Sequence, residues 1–106
     1  MIKVTFTETP KKLSLRVKGH AGYAEHGKDI VCASASILAY TLAHIVDWID
    51  GVEPIVDLTS GDTTIECECE DEQAFISAKN AYHYAEVGYA LLQRNYPQYV
   101  RLKAFT

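Results

Sequence analysis

The sequence predicts an α+β fold with the order ββαββαβ: a mostly antiparallel sheet with two helices packed on one face. Three observations predict it. Five short segments alternate apolar and polar residues, the period of a half-buried strand. Two long segments abandon that alternation for helical spacing. The first strand pair and the second are each joined by a turn short enough for a hairpin, which favours antiparallel neighbours. Read as one domain over residues 1–106, the chain is long enough for a single core without disulfide staples.

Ile2, Val4 and Phe6 alternate with Lys3, Thr5 and Thr7 to give the first strand. Thr9-Pro10-Lys11-Lys12 is a turn, with proline fixing its φ, and Leu13, Leu15 and Val17 form the second strand. From Gly19 to Asp29 the pattern stops for eleven residues that include Gly19, Gly22 and Gly27. Compact domains usually join elements with about 4–6 residues, so a loop of this length points to function. Asp29 is suited to cap a helix running to about Asp50 and closed by Gly51. That helix is apolar on nearly every face, which predicts a central helix or one covered on two sides. Val52 to Thr59 is the third strand, and Ser60-Gly61-Asp62 turns tightly into the fourth, Thr63 to Glu70. Asp71 and Glu72 place acids at the positive end of a second helix. Its stripe is Phe75, Ala78, Tyr82, Ala85, Tyr89, Leu92 and Tyr96, flanked by a small-residue seam of Ala74, Ala81 and Gly88. Pro97 ends it. Gln98 to Phe105 reads as the last strand, with Val100, Leu102 and Ala104 on one face.

Composition excludes several classes. A hydrophobic fraction of 48% with 23% charged residues is that of a globular protein, not of a disordered or fibrous one. A net charge of −4 argues against a nucleic-acid partner, which needs a basic footprint. Three cysteines, an odd number, make no disulfide framework and fit a reducing, cytoplasmic setting. The stretch Ile30 to Ile49 carries Ser34, Ser36, Thr41, His44 and Asp47, too many polar groups for a membrane span, so no membrane association is expected.

The candidate chemistry centres on Cys32. It lies in the first turn of a helix, where free backbone N–H groups and the macrodipole favour a thiolate. Packing as a small hydrophobe is the competing role. His20 opens the long loop and Cys32 follows its end, so a compactly closed loop brings imidazole and thiol together, as nucleophilic cysteine catalysis needs. His26 is equally available, and spacing does not choose between the two; His44 and His83 read as packing or surface residues. Cys67 and Cys69 share a strand face with Ile65 and read as core, with no second Cys/His pair to complete a metal site. No cofactor is expected. Glu66, Glu68, Glu70, Asp71 and Glu72 form either a solvated face or a field that steers a basic substrate.

The block Gly19-His20-Ala21-Gly22, followed by Gly27-Lys28-Asp29-Ile30-Val31-Cys32-Ala33 and by Ser36, resembles the signature of the ribosomal-processing cysteine protease family Prp. The resemblance implies Cys32 as nucleophile and His20 as its acid/base partner, with Asp29 and Ser36 as supporting polar positions. It also implies a small cytosolic homodimer that removes an N-terminal extension from large-subunit ribosomal protein 27. On that basis the N–H groups of Cys32 or Ala33 are expected to hold the oxyanion. Asp29 is expected to cap the helix, to orient His20, or both; Ser36 lines the pocket or bonds back to the Cys32 carbonyl. Gly22, Tyr23 and Gly27 belong to a lid in which Tyr23 meets an aromatic substrate side chain. The alternative is a non-catalytic ribosome-assembly module that holds a basic peptide in the same groove. A thiol redox protein is disfavoured, because no resolving cysteine lies near Cys32.

Overall fold

A computed structural model describes residues 1–105; Thr106, the last residue of the predicted domain, lies outside them. The strands are β1 (Ile2–Glu8), β2 (Lys12–Lys18), β3 (Val52–Thr59), β4 (Asp62–Cys69) and β5 (Val100–Lys103); the helices are α1 (Ile30–Asp47) and α2 (Glu72–Asn95). The five strands make one sheet in the order β3-β4-β2-β1-β5. Every neighbouring pair is antiparallel except β1 and β5, which run parallel. The expected ββαββαβ order and mostly antiparallel sheet are therefore both present.

Register follows the alternation read from the sequence. Leu13 opposes Cys67 and Leu15 opposes Ile65, and all four side chains are buried with Ile2, Val4 and Phe6 beneath the helices. Cys67 and Cys69 are core residues, as expected. The opposite face is charged, with Lys12 against Glu68 and Ser14 against Glu66. Helix α2 lays Ala78, Tyr82, Ala85, Tyr89 and Leu92 on the sheet. Its two buried tyrosines satisfy their hydroxyls on carbonyl oxygens, Tyr82 on Ile65 and Tyr89 on Ala35, each at 2.7 Å.

Two expectations need correction. Helix α1 ends at Asp47, not near Asp50, because its last turn tightens: the N–H groups of Trp48 and Ile49 donate three residues back, to Ile45 and Val46. Strand β5 is only four residues long. Tyr99 and Val100 both donate to the Tyr96 carbonyl, so a turn consumes the residues before the strand, and Ala104 lies exposed beyond it. The cover expected of α1 is supplied on one side within the chain, by the sheet and α2. Val31, Ala35, Ala39, Leu42 and Val46 face the core, while Ile37, Ile45 and Trp48 stay exposed.

Candidate active site

The site forms where the ends of β2 and α1 meet. Gly19 turns the chain off the sheet with φ +97°, and a Cβ there would lie 2.4 Å from the Met1 carbonyl oxygen, so only glycine fits. Its N–H donates to the Gly61 carbonyl at 2.8 Å, tying the loop to the β3–β4 hairpin. Ala21 is buried, and its N–H points at the Cys32 sulfur from 3.4 Å. The loop thus closes on the helix start, as its length suggested.

Cys32 is half-buried and lines a groove of about 480 Å³ together with His20, Gly22, Ala24, His26, Gly27, Asp29, Ala33 and Ser36. Among the described residues no hydrogen bond joins His20 to Cys32 directly; their side chains face the same space. His26 lines it too, so geometry, like spacing, leaves both imidazoles beside the thiol.

Asp29 divides its two carboxylate oxygens. Oδ1 accepts from the N–H groups of Val31 and Cys32, both at 3.0 Å, which is the expected helix cap. Oδ2 accepts from Tyr23 at 3.0 Å and Ala24 at 3.3 Å, pinning the glycine loop to the same helix end. Partial burial pushes this carboxyl upward, but the N–H donors of Cys32, Ala24 and Tyr23 and the Cys32 thiol outweigh it, so its pKa lies below the ordinary aspartate value. The orienting contact made by Asp29 is therefore with the loop backbone, not with His20.

This cap overturns the expected oxyanion donors. The Cys32 N–H is held by Asp29 Oδ1 and the Ala33 N–H by the Asp29 carbonyl at 3.0 Å, so neither is free. Ser36 lines the groove, and among the described residues no back-bond joins it to the Cys32 carbonyl; Ser34 does bond back, its hydroxyl donating to the Ile30 carbonyl at 2.7 Å. Tyr23 packs edge-on against Tyr96 and Tyr99, with ring centroids 5.6 and 5.2 Å away, a cluster that no short-range pattern announces.

The family model of the cysteine protease Prp matches residues 1–101. The chain belongs to the cysteine protease Prp family. The ribosomal processing cysteine protease Prp of Bacillus subtilis (strain 168) is 37% identical over 60 residues, 55% of this chain and 54% of that protein, so the alignment spans about half the length of this curated relative. Two solved structures of the ribosomal processing protease Prp from S. aureus share the fold at 22% identity over 100% of both chains. The complex with a covalently linked product peptide gives a TM-score of 0.83, and the complex with a substrate peptide 0.75.

Proposed function

We propose that residues 1–106 form a single-domain cysteine endopeptidase that removes the N-terminal extension of large-subunit ribosomal protein 27. Cys32 is the nucleophile and His20 the acid/base. The observation that carries this reading is the Cys32 sulfur, half-buried in a groove shared with His20 and approached by the Ala21 N–H at 3.4 Å. The bound substrate and product peptides in the S. aureus Prp structures support a peptide in the equivalent groove.

His20 takes the thiol proton, and the thiolate attacks the scissile carbonyl carbon. As negative charge moves from sulfur to the carbonyl oxygen, the Ala21 N–H is the donor nearest the reacting atoms and follows the charge. The His20 imidazolium then protonates the leaving amine, and water hydrolyses the thioester. Asp29 holds the loop that presents Ala21 against the helix that presents Cys32. Ser36 borders the groove one turn further on. Gly22, Tyr23 and Gly27 form a lid over the peptide; alanine at both glycines is expected to slow turnover, and unchanged kinetics removes the hinge. The enzyme acts in the cytoplasm as a homodimer, without cofactor.

The test is cleavage of a tagged ribosomal protein 27 precursor in lysate. Wild type cleaves it, Cys32→Ser does not, and His20→Ala retains only a small residual rate. Cleavage by Cys32→Ser removes the nucleophile assignment. Tight binding of the precursor by wild type without cleavage identifies a binding module instead.

A further inference from the structure

We propose that Gly61, at the tip of the β3–β4 hairpin, is a positioning residue for the His20 imidazole, which occupies the space a side chain at residue 61 would fill. A Cβ built on Gly61 would lie 2.8 Å from His20 Nε2, 3.2 Å from Cε1 and 3.6 Å from Cδ2. Carbon–carbon contacts settle near 3.5–4.0 Å, so the ring and a methyl group cannot share this place. Gly61 itself lies outside the lining of the groove; the ring bridges the hairpin tip and the groove.

The hairpin tip is a firm backing. Arg16 grips Asp62, the next residue, through two hydrogen bonds of 3.0 and 2.9 Å. The Gly61 carbonyl accepts the N–H of Gly19, the residue before His20, at 2.8 Å. The same turn therefore fixes the backbone that carries the imidazole and bounds the ring from one side. Because the obstructed atoms belong to a side-chain end, a substitution at residue 61 displaces the imidazole and leaves the sheet in place. A shift of about 1 Å in a catalytic group can cost about 100-fold in rate.

Gly61 also has φ +79°, the value at the second central residue of a type II turn, and this alone favours glycine. Asparagine separates the two requirements, since it tolerates positive φ yet carries a Cβ. Gly51, with φ +79° at the opposite end of β3, has no imidazole nearby; a Cβ there would meet Ala74 Cβ at 3.1 Å, so Gly51→Ala combines the same backbone strain with crowding and bounds the melting loss from above.

The proposal rests on His20 acting as the acid/base, and the experiment separates the two. Gly61→Asn, Gly61→Ala, Gly51→Ala, His20→Ala and the double variant His20→Ala/Gly61→Ala are compared with wild type. The readouts are cleavage of a synthetic peptide spanning the ribosomal protein 27 extension junction, thermal melting, and the His20 ring signals by NMR of 15N-histidine protein. Both Gly61 variants are expected to lose about 100-fold in kcat/KM, mainly in kcat, and to move the His20 ring signals. Their melting temperatures should fall no further than that of Gly51→Ala. In the His20→Ala background, Gly61→Ala should change nothing more. Wild-type cleavage by Gly61→Asn, or His20 ring signals that do not move in it, overturns the proposal while leaving the acid/base role intact. An equal loss from Gly61→Ala in both backgrounds also overturns it, because the effect then bypasses the imidazole. Full cleavage by His20→Ala removes the catalytic reading itself, and the positioning role falls with it.

Discussion

At the level of single residues, Asp29 joins what the sequence displays to what only the folded loop supplies. Its role as a cap was legible, since an acid before an apolar helix is a local signal. The partners of its second oxygen, Tyr23 and Ala24, were not, because they depend on the glycine loop folding back over the helix start. Replacing Asp29 with alanine is expected to cost about 1–2 kcal/mol at pH 7, the range of a lost cap, and to lower kcat/KM by loosening the loop. The pH dependence has a definite sign. The folded pKa of Asp29 is depressed, so its stabilisation is full above the ordinary aspartate range near 3.9 and disappears as pH falls through the folded value. Urea unfolding of wild type and Asp29→Ala at pH 7 and pH 3 should show the gap narrowing in acid; a constant gap means the carboxylate charge contributes nothing. The cysteines divide equally clearly. Cys69 lies in the core with its thiol pushed up to about 11, chiefly by burial, and burial also raises Cys67. Iodoacetamide at pH 6 should therefore modify Cys32 alone, and a mass spectrum with adducts on the strand cysteines contradicts that division.

At the level of elements, Ala81 and Gly88 of the seam read from α2 lie where α1 approaches, while Ala74 meets Gly51 ahead of β3. A Cβ on Gly88 would lie 2.5 Å from Leu38 Cδ2 and 3.2 Å from Cδ1. Two effects oppose each other in Gly88→Ala. Alanine favours a helix interior by about 1 kcal/mol over glycine. Overpacking between two helices typically costs about 1–3 kcal/mol, and here the whole Leu38 isobutyl group must move. Net destabilisation is expected by denaturant unfolding, and Leu38→Ala in the same chain should reverse the sign of the Gly88 substitution. Stabilisation by Gly88→Ala alone shows that Leu38 yields freely. The hairpins and α2 were legible because their signals are local: period two, a two-residue turn, a step of threes and fours. The length of β5 was not, since the Tyr96 carbonyl captures two N–H groups that alternation alone assigns to the strand.

The whole molecule is a two-layer slab of 43 × 24 × 16 Å, and its two outer surfaces differ in kind. The outer sheet face mixes Lys12, Arg16 and Lys18 with Glu66 and Glu68, so the acidic row read from β4 is interleaved with cations. Glu70, Asp71 and Glu72 follow the far end of that strand, roughly 30 Å from the Gly61 tip at about 3.3 Å per residue. That separation exceeds the Debye length of about 8 Å at physiological salt, which argues against steering toward His20 by this row. The helix side is apolar. Trp48 is 82% exposed and Ile37 61%; Leu91 is also open to solvent, and Ile37, Ile45 and Tyr84 line a cleft between α1 and α2. The sequence predicts that α1 is central or covered on two sides, and within one chain the sheet and α2 leave Ile37, Ile45 and Trp48 open. A second copy meeting this face across a two-fold axis satisfies the remaining side, because a self-complementary apolar patch appears on both partners at once. Sedimentation should find a dimer at micromolar concentration. Ile37→Glu and Trp48→Glu should each yield a folded monomer, since both side chains point away from the core. A wild-type monomer contradicts the dimer outright; a dimer unaffected by both substitutions moves the interface to another face.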